Sequence, residues 1–193
     1  MTAIVGARPG QLETISSLDP TPKSIVWTLK DGAQVEIRPI QPNDEERMIV
    51  FHQGLSERSV YMRYFESLSF SVRTTHSRLA RICFADPECQ TVLVAISLDP
   101  QSGQQKIVAV GRLSKFPDPL KAEVALLVLD EFQGHGLGSE LLRHLIQAAR
   151  DHKIKQIEAE MLRDNTAIQR VLKKFGFRLR LIDPRSVRAV LTL

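Results

Sequence analysis

Gln133-Gly134-His135-Gly136-Leu137-Gly138 follows a continuous apolar run, Val124 to Leu129, and leads directly into a segment with a helical repeat. In that segment Leu137, Leu141, Leu142, Leu145 and Ile146, with Ala148 and Ala149, recur at three- and four-residue spacing up to about His152. The order is strand, glycine-rich turn, helix with one buried face. Such a turn can aim several backbone N–H groups at one point, and the helix behind it adds roughly half a positive charge at its N-terminus, so its natural occupant is a phosphate or pyrophosphate. Glycines there tolerate positive φ and let a ligand approach the backbone closely. The spacing, Gln-x-x-Gly-x-Gly, is neither the dinucleotide fingerprint nor the P-loop: no Lys-Ser or Lys-Thr closes it, and no third glycine is correctly placed.

The segment after the helix extends the unit. Ile157, Ala159 and Met161 alternate as in a strand, and Arg163-Asp164-Asn165 supplies polar turn residues and a candidate N-cap. Ile168, Val171, Leu172 and Phe175 then mark a second helix stopped by Gly176. Upstream, Ile25 to Leu29 and Gln34 to Pro39 flank Asp31-Gly32 as a predicted hairpin. Pro42-Asn43-Asp44 opens a predicted helix with Asn43 as its cap, Ser56 caps another, and Ser71 to Cys83 forms a third. Thr91 to Ser97 and Lys106 to Leu113 read as strands joined by the polar loop Asp99 to Gly103, Glu123 to Leu129 as the central strand, and Ser186 to Thr192 as a closing strand. Residues 1–24, rich in Gly, Pro, Ser and Thr, are expected to be a flexible arm, and 25–193 one domain.

Charge narrows the partners. The net charge is +4, and the excess is local: residues 150–193 hold eleven Lys or Arg against five Asp or Glu, whereas the first hundred hold ten against twelve. A basic C-terminal part suits a polyanionic ligand, or is simply a solvated face. Nucleic acid is not expected, because the basic residues are not interleaved with aromatics, which are only 6% of the chain. Cys83 and Cys89 do not make a disulfide framework for a domain of this size and are expected to be reduced. No apolar stretch approaches the roughly twenty residues of a membrane span, and Ala3 to Ala7 lacks the features of a signal peptide, so the expected compartment is the cytoplasm. The histidines and cysteines show no metal-ligand spacing.

From Glu123 to Phe177 the chain resembles the acyl-CoA-binding half of the GNAT superfamily of N-acyltransferases. That pattern has an apolar strand, Gln or Arg-x-x-Gly-x-Gly or Ala, a Leu-rich helix, a strand, an Asn, and a helix ending in Gly-Phe. Val35-Glu36-Ile37-Arg38-Pro39-Ile40 with Asp44 resembles the entry strand and first helix of such domains. Leu55-Ser56-Glu57-Arg58-Ser59-Val60-Tyr61-Met62-Arg63-Tyr64-Phe65 is similar to a segment of bacterial Pat-type protein lysine acetyltransferases. The resemblance covers about residues 33–182. It implies an α/β (α+β) fold, with a mixed, mostly antiparallel sheet, helices on both faces, and central strands, those of Glu123 and Gln156, splayed to admit acetyl-CoA. The expected activity is N-acetyl transfer to an amine, either a protein lysine, for example on an acyl-CoA synthetase, or a small molecule. A non-catalytic acyl-CoA sensor is the alternative from another class.

The resemblance also assigns candidate residues. Gly134, His135, Gly136, Leu137, Gly138 and Ser139 would hold the pyrophosphate, and free backbone groups of Leu126, Leu127 and Val128 would bind the pantetheine like an added strand. Gln133 stands beside the phosphates or serves only as a polar helix-entry residue. Asn165 hydrogen-bonds the pantetheine, caps its helix, or does both. A lysine ammonium, with a reference pKa near 10.4, must lose a proton before it attacks, and Glu123, at the start of an otherwise apolar strand, is the candidate base. Its alternative is a water-exposed glutamate at a strand end. Many superfamily members carry a Tyr on the last helix to protonate the leaving thiolate; this chain has Phe175 there, and no general acid is assigned. Arg170, Lys173 and Lys174 either reach the 3′-phosphate of CoA or form a solvated face. A small-amine acceptor predicts an acidic pocket, to which Glu57, Glu66, Asp86 and Glu88 are the candidate contributors.

Overall fold

The computed structural model describes residues 24–98 and 103–193. The expected arm, apart from Ser24, and most of the loop from Asp99 to Gly103 therefore lie outside the described residues. The described chain builds one eight-stranded sheet in the order β1-β2-β3-β4-β5-β6-β8-β7. Its strands are β1 (Ile25–Thr28), β2 (Gln34–Pro39), β3 (Gln90–Leu98), β4 (Gln105–Lys115), β5 (Lys121–Val128), β6 (Gln156–Leu162), β7 (Arg178–Leu181) and β8 (Ser186–Thr192). All neighbours are antiparallel except β5 and β6. The mixed, mostly antiparallel sheet expected from the sequence is thus observed.

Six α-helices accompany it: α1 (Glu45–Gln53), α2 (Glu57–Tyr64), α3 (Phe70–Arg73), α4 (His76–Cys83), α5 (Leu137–Asp151) and α6 (Thr166–Lys174). Helix α5 buries the predicted leucine stripe against β4 and β5. Gly111 of β4 permits that approach: a Cβ there would meet Leu145 at 3.0 Å, Leu126 at 3.1 Å and Leu141 at 3.5 Å. Among the described residues no helix is long and apolar enough to cross a membrane.

Three local expectations need correction. Asn43 does not cap α1; Pro42–Asp44 forms a single 3₁₀ turn with Gln41 as its cap, and Asp44 occupies the cap position of α1. The reason is that the Asp44 carboxylate is fully buried, accepting from both Nη atoms of Arg38 at 2.7 and 2.8 Å, from Arg47 at 3.0 Å and from the Gln41 N–H at 2.8 Å. The helix predicted over Ser71 to Cys83 is two helices, because Thr74 and Thr75 return their hydroxyls to the carbonyls of Phe70 and Val72 and interrupt the ladder. Strand β7, Arg178–Leu181, was not foreseen: its alternation is masked by arginines on an exposed edge.

Candidate active site

The parallel pair β5 and β6 is the break in the sheet. Their register covers only Lys121↔Gln156, Ala122↔Ile157 and Glu123↔Glu158, and after Glu123 the strands part. A cavity of about 740 Å³ opens there, lined by Glu123 to Val128 of β5, Gln133 to Gly136 with Gly138 and Ser139, Ala159 to Met161 of β6, and Asn165 at the start of α6. Nearly every predicted site residue is therefore brought to one space; only Leu137, whose side chain is buried in the core, is not on the wall.

The glycine turn has the geometry of an anion cradle. Gly134 and Gly136 have φ of +81° and +93°, which side chains rarely adopt, and a Cβ at either would meet nothing within 4 Å. Gly136 is also the N-cap of α5, so no side chain caps that helix. The N–H groups of Gly134, His135, Gly136, Leu137 and Gly138 find no acceptor among the described residues. Unsatisfied donors at the positive end of a 15-residue helix fit a pyrophosphate. The indole Nε1 of Trp27, on the same cavity, is likewise buried without a partner. Lys30, Arg58, Arg143, Arg170 and Lys174 stand around the wall; Lys173 does not. The sequence reading found Arg170 and Lys174 but missed the others, which come from separate elements that no linear spacing joins.

Three predicted side chains are engaged within the protein. Gln133 Nε2 donates to the Val128 carbonyl at 3.1 Å and to Ser59 Oγ at 3.2 Å, so it braces the turn against β5 and α2. His135 pairs with Asp31 of the β1–β2 turn at 3.0 Å. Asn165 caps α6, its Oδ1 accepting from the Ile168 N–H at 3.4 Å. Asp130 adds a clamp across the site's entrance: it accepts from the Ser56 N–H at 3.0 Å, Ser56 Oγ at 2.7 Å and Ser59 Oγ at 2.8 Å. Burial alone would raise the Asp130 pKa, but these serine donors outweigh it and hold the carboxyl below its ordinary value.

Among the described residues five carboxylates reach the cavity wall: Glu123, Asp130, Glu140, Glu160 and Asp164. Asp130 is held by the serines, Glu140 by Arg143 at 3.1 Å, and Glu160 faces Arg188 at 3.6 Å; Asp164 is exposed at the β6–α6 turn. The Glu123 carboxylate, partly buried where β5 and β6 diverge, accepts no hydrogen bond from any described residue. The cysteines offer no nucleophile: neither lines the cavity, and burial with nearby Asp44 and Glu45 pushes the Cys83 thiol up to about 11. Among the described residues no group of three His, Cys, Asp or Glu is placed to hold a metal.

A second space, of about 310 Å³, shares Arg63 and the β5 residues Ala125 to Leu127 with the first. It is roofed by α1 to α4 and lined by Arg63, Arg73, Arg78, Arg81 and Arg112, with His52 and Tyr64. None of Glu57, Glu66, Asp86 and Glu88 lines it, so the acidic pocket expected for a small amine is not formed there. Burial lowers the Arg63 pKa; Tyr64 and Glu123 oppose that and Arg112 reinforces it. Burial, then Arg73 and Arg78, push His52 down to about 4, so its ring is neutral at neutral pH. Tyr64 lies against the guanidinium groups of Arg63 and Arg78, at 5.3 and 5.7 Å. Sequence reasoning missed this cluster, although residues 63–81 carry four arginines against a single glutamate.

Comparison with known proteins agrees with this geometry. A family model described as "Acetyltransferase (GNAT) domain" matches residues 34–178. Acetyltransferase PA5475 of Pseudomonas aeruginosa is 27% identical over 152 residues, 79% of each chain. Acetyltransferase Pat of Mycolicibacterium smegmatis is 28% identical over 148 residues, 77% of this chain but 42% of Pat, so the similarity leaves more than half of that relative unmatched. The solved GNAT domain of S. lividans PAT superposes with a TM-score of 0.76 at 28% identity, over 88% of this chain and 97% of that domain.

Proposed function

The chain belongs to the GNAT family and is an acetyl-CoA-dependent N-acetyltransferase, and we propose that it acetylates a lysine side chain of a protein, with Glu123 as the base. The observation that carries the role of Glu123 is its uncommitted carboxylate at the point where β5 and β6 part. The lysine acceptor is supported by the similarity to Pat, and none of Glu57, Glu66, Asp86 and Glu88, the acids expected to form a small-amine pocket, lines either space.

Bound acetyl-CoA supplies an acyl carbon activated by a sulfur leaving group. The free N–H groups of Gly134 to Gly138 hold the pyrophosphate, and Lys30, Arg143, Arg170 and Lys174 add positive potential around it. The unpaired edge of β5 from Val124 to Leu127 offers main-chain groups to the pantetheine; the Val128 carbonyl already accepts from Gln133. Glu123, directly or through one water, takes the proton from the acceptor ammonium. The freed nitrogen lone pair forms the N–C bond as the C–S bond breaks, the electron pair departs on sulfur, and the second proton on nitrogen passes through water to the thiolate, leaving the neutral amide and the free thiol. Base assistance of this kind is worth about 10²- to 10⁴-fold in rate.

The test is thiol release from acetyl-CoA by wild type and Glu123→Gln, offered an acyl-CoA synthetase and a panel of small amines, with mass mapping of any acetylated lysine. Expected is acetylation of a synthetase lysine that falls about 10²- to 10⁴-fold in the variant at neutral pH. Unchanged turnover removes Glu123 from the role of base. Activity on a small amine alone moves the acceptor, and tight acetyl-CoA binding without transfer to any amine makes the chain a sensor.

A further inference from the structure

The arginine pocket beside Glu123 has more positive charge than the protein neutralises. Arg73 is 5% exposed, yet its Nε and Nη1 are buried without a hydrogen-bond partner, and its one ionic neighbour, the exposed Glu57, lies 3.9 Å from Nη2. His52 Nδ1, 2% exposed in the same pocket, is also unpartnered. Among the described residues no carboxylate lines the space. Buried guanidinium groups are costly unless paired, and the fork of N–H donors matches a carboxylate in two-point fashion. Arg112 stands opposite Ala125 in the β4–β5 register and Ser114 opposite Glu123, so the pocket and the Glu123 carboxylate share one face of the sheet.

We propose that this pocket is a carboxylate-binding subsite of the reaction: one of the two reactants carries a carboxylate that enters between Arg73 and Arg112 when its reacting atom lies at Glu123. The inference builds on the transfer site described above and names a substrate class for it. Two sources share the chemistry, an ω-carboxylate on the acyl group or a carboxylate next to the amine on the acceptor. A cationic pocket of this kind disfavours a neighbouring basic group on either reactant by like-charge repulsion.

Calorimetric titration with glutarate, on wild type, Arg73→Gln, Arg73→Lys and Arg112→Gln, reads the subsite without turnover. Expected is glutarate binding by wild type that weakens about tenfold or more in the two Gln variants, with partial recovery in Arg73→Lys. Thiol-release kinetics with matched pairs then locates the carboxylate: succinyl-CoA against acetyl-CoA with one amine, and lysine peptides with Glu or Gln beside the lysine with acetyl-CoA. One pair should show roughly 10²-fold higher kcat/KM for its carboxylate member, because the analogue leaves buried donors unpaired. The variants should collapse that ratio. If Arg73→Gln does not fold, the partly exposed Arg112→Gln carries the test. Arginine-dependent glutarate binding with no thiol release from any pair would sink the transfer reading and leave the subsite standing. Folded wild type that ignores glutarate and discriminates in neither pair overturns the proposal, as does binding of inorganic phosphate but of no carboxylate.

Discussion

The two spaces that meet at β5 are built from different materials. On the thioester side the recognition elements are main chain: two glycines at positive φ, the free N–H groups at the start of α5 and the unpaired edge of β5. In the arginine-lined space they are side chains from separate elements, α1 to α4 and β4, with charge concentrated in arginines. Backbone recognition depends on conformation and is nearly blind to residue type away from the glycines, whereas side-chain recognition depends on charge, burial and the packing of short helices. The first region should therefore respond to backbone strain, and the second to pH and to loss of single polar groups.

The largest structural effect is expected at Asp44, whose carboxylate fixes the end of β2 and the start of α1 through Arg38 and Arg47. Asp44→Ala leaves Arg38 uncompensated and should cost about 3–5 kcal/mol in denaturant unfolding; a loss below 1 kcal/mol would show that the roof of the arginine pocket does not hang on this pair. Burial raises the Asp44 pKa, but the Arg38 and Gln41 hydrogen bonds and Arg47 overcome it and set the net shift downward. A carboxylate with a depressed folded pKa stabilises above its unfolded value, near 3.9, and that contribution fades as pH falls through the folded value.

His52 acts in a higher window. Its folded pKa, about 4, lies below the unfolded 6.5, so the unfolded chain binds more protons between these values and stability drops as pH falls across them. The loss should approach roughly 3 kcal/mol by pH 4. His52→Gln should flatten the unfolding free energy over that range, and an unaltered slope would remove His52 as its cause.

On the thioester side, Gly136→Val forces a β-branched residue into φ of +93° at a strain of about 1–2 kcal/mol, read as a KM for acetyl-CoA raised roughly tenfold. Equal effects of Gly136→Val and Gln133→Ala would break the contrast, since Gln133 only braces the turn. The smallest effect is Ser56→Ala: it removes the α2 cap and one donor to Asp130, for about 1 kcal/mol of stability. Because that clamp ties α2 to the end of β5, a modest loss of turnover should accompany it.

The two regions also differ in how far the sequence announces them. The turn from Gln133 to Ser139, the α5 leucine stripe, Glu123 and the Asn165 cap could be read from local order, because a strand, a glycine turn and a helix are contiguous and each has its own periodicity. The limits of β2 and β8 were legible for the same reason. Asn43 was misread as a cap because the Asp44 carboxylate is claimed by Arg38 of the preceding strand, six residues away, a side-chain competitor that no capping rule contains. The bracing role of Gln133 was equally invisible, since its amide is directed by Ser59 on α2 and by the Val128 carbonyl.

Charge shows the same division. Composition put the basic excess in residues 150–193 and made the first hundred residues slightly acidic, which pointed away from an arginine pocket there. Yet Arg63, Arg73, Arg78 and Arg81 of that acidic half converge with Arg112 in one pocket, while Glu57, Glu66, Asp86 and Glu88 are left off its walls. The sequence by itself determined the order of elements and the glycine turn at the head of α5, because those follow from periodicity and local backbone chemistry; the candidate base came with the family resemblance. The tertiary structure alone decided at which residue β5 and β6 stop pairing, which carboxylate stays uncommitted and which arginines share a desolvated space. Those depend on distances between residues far apart in the chain, and electrostatic energy in a folded protein is set by separation and burial.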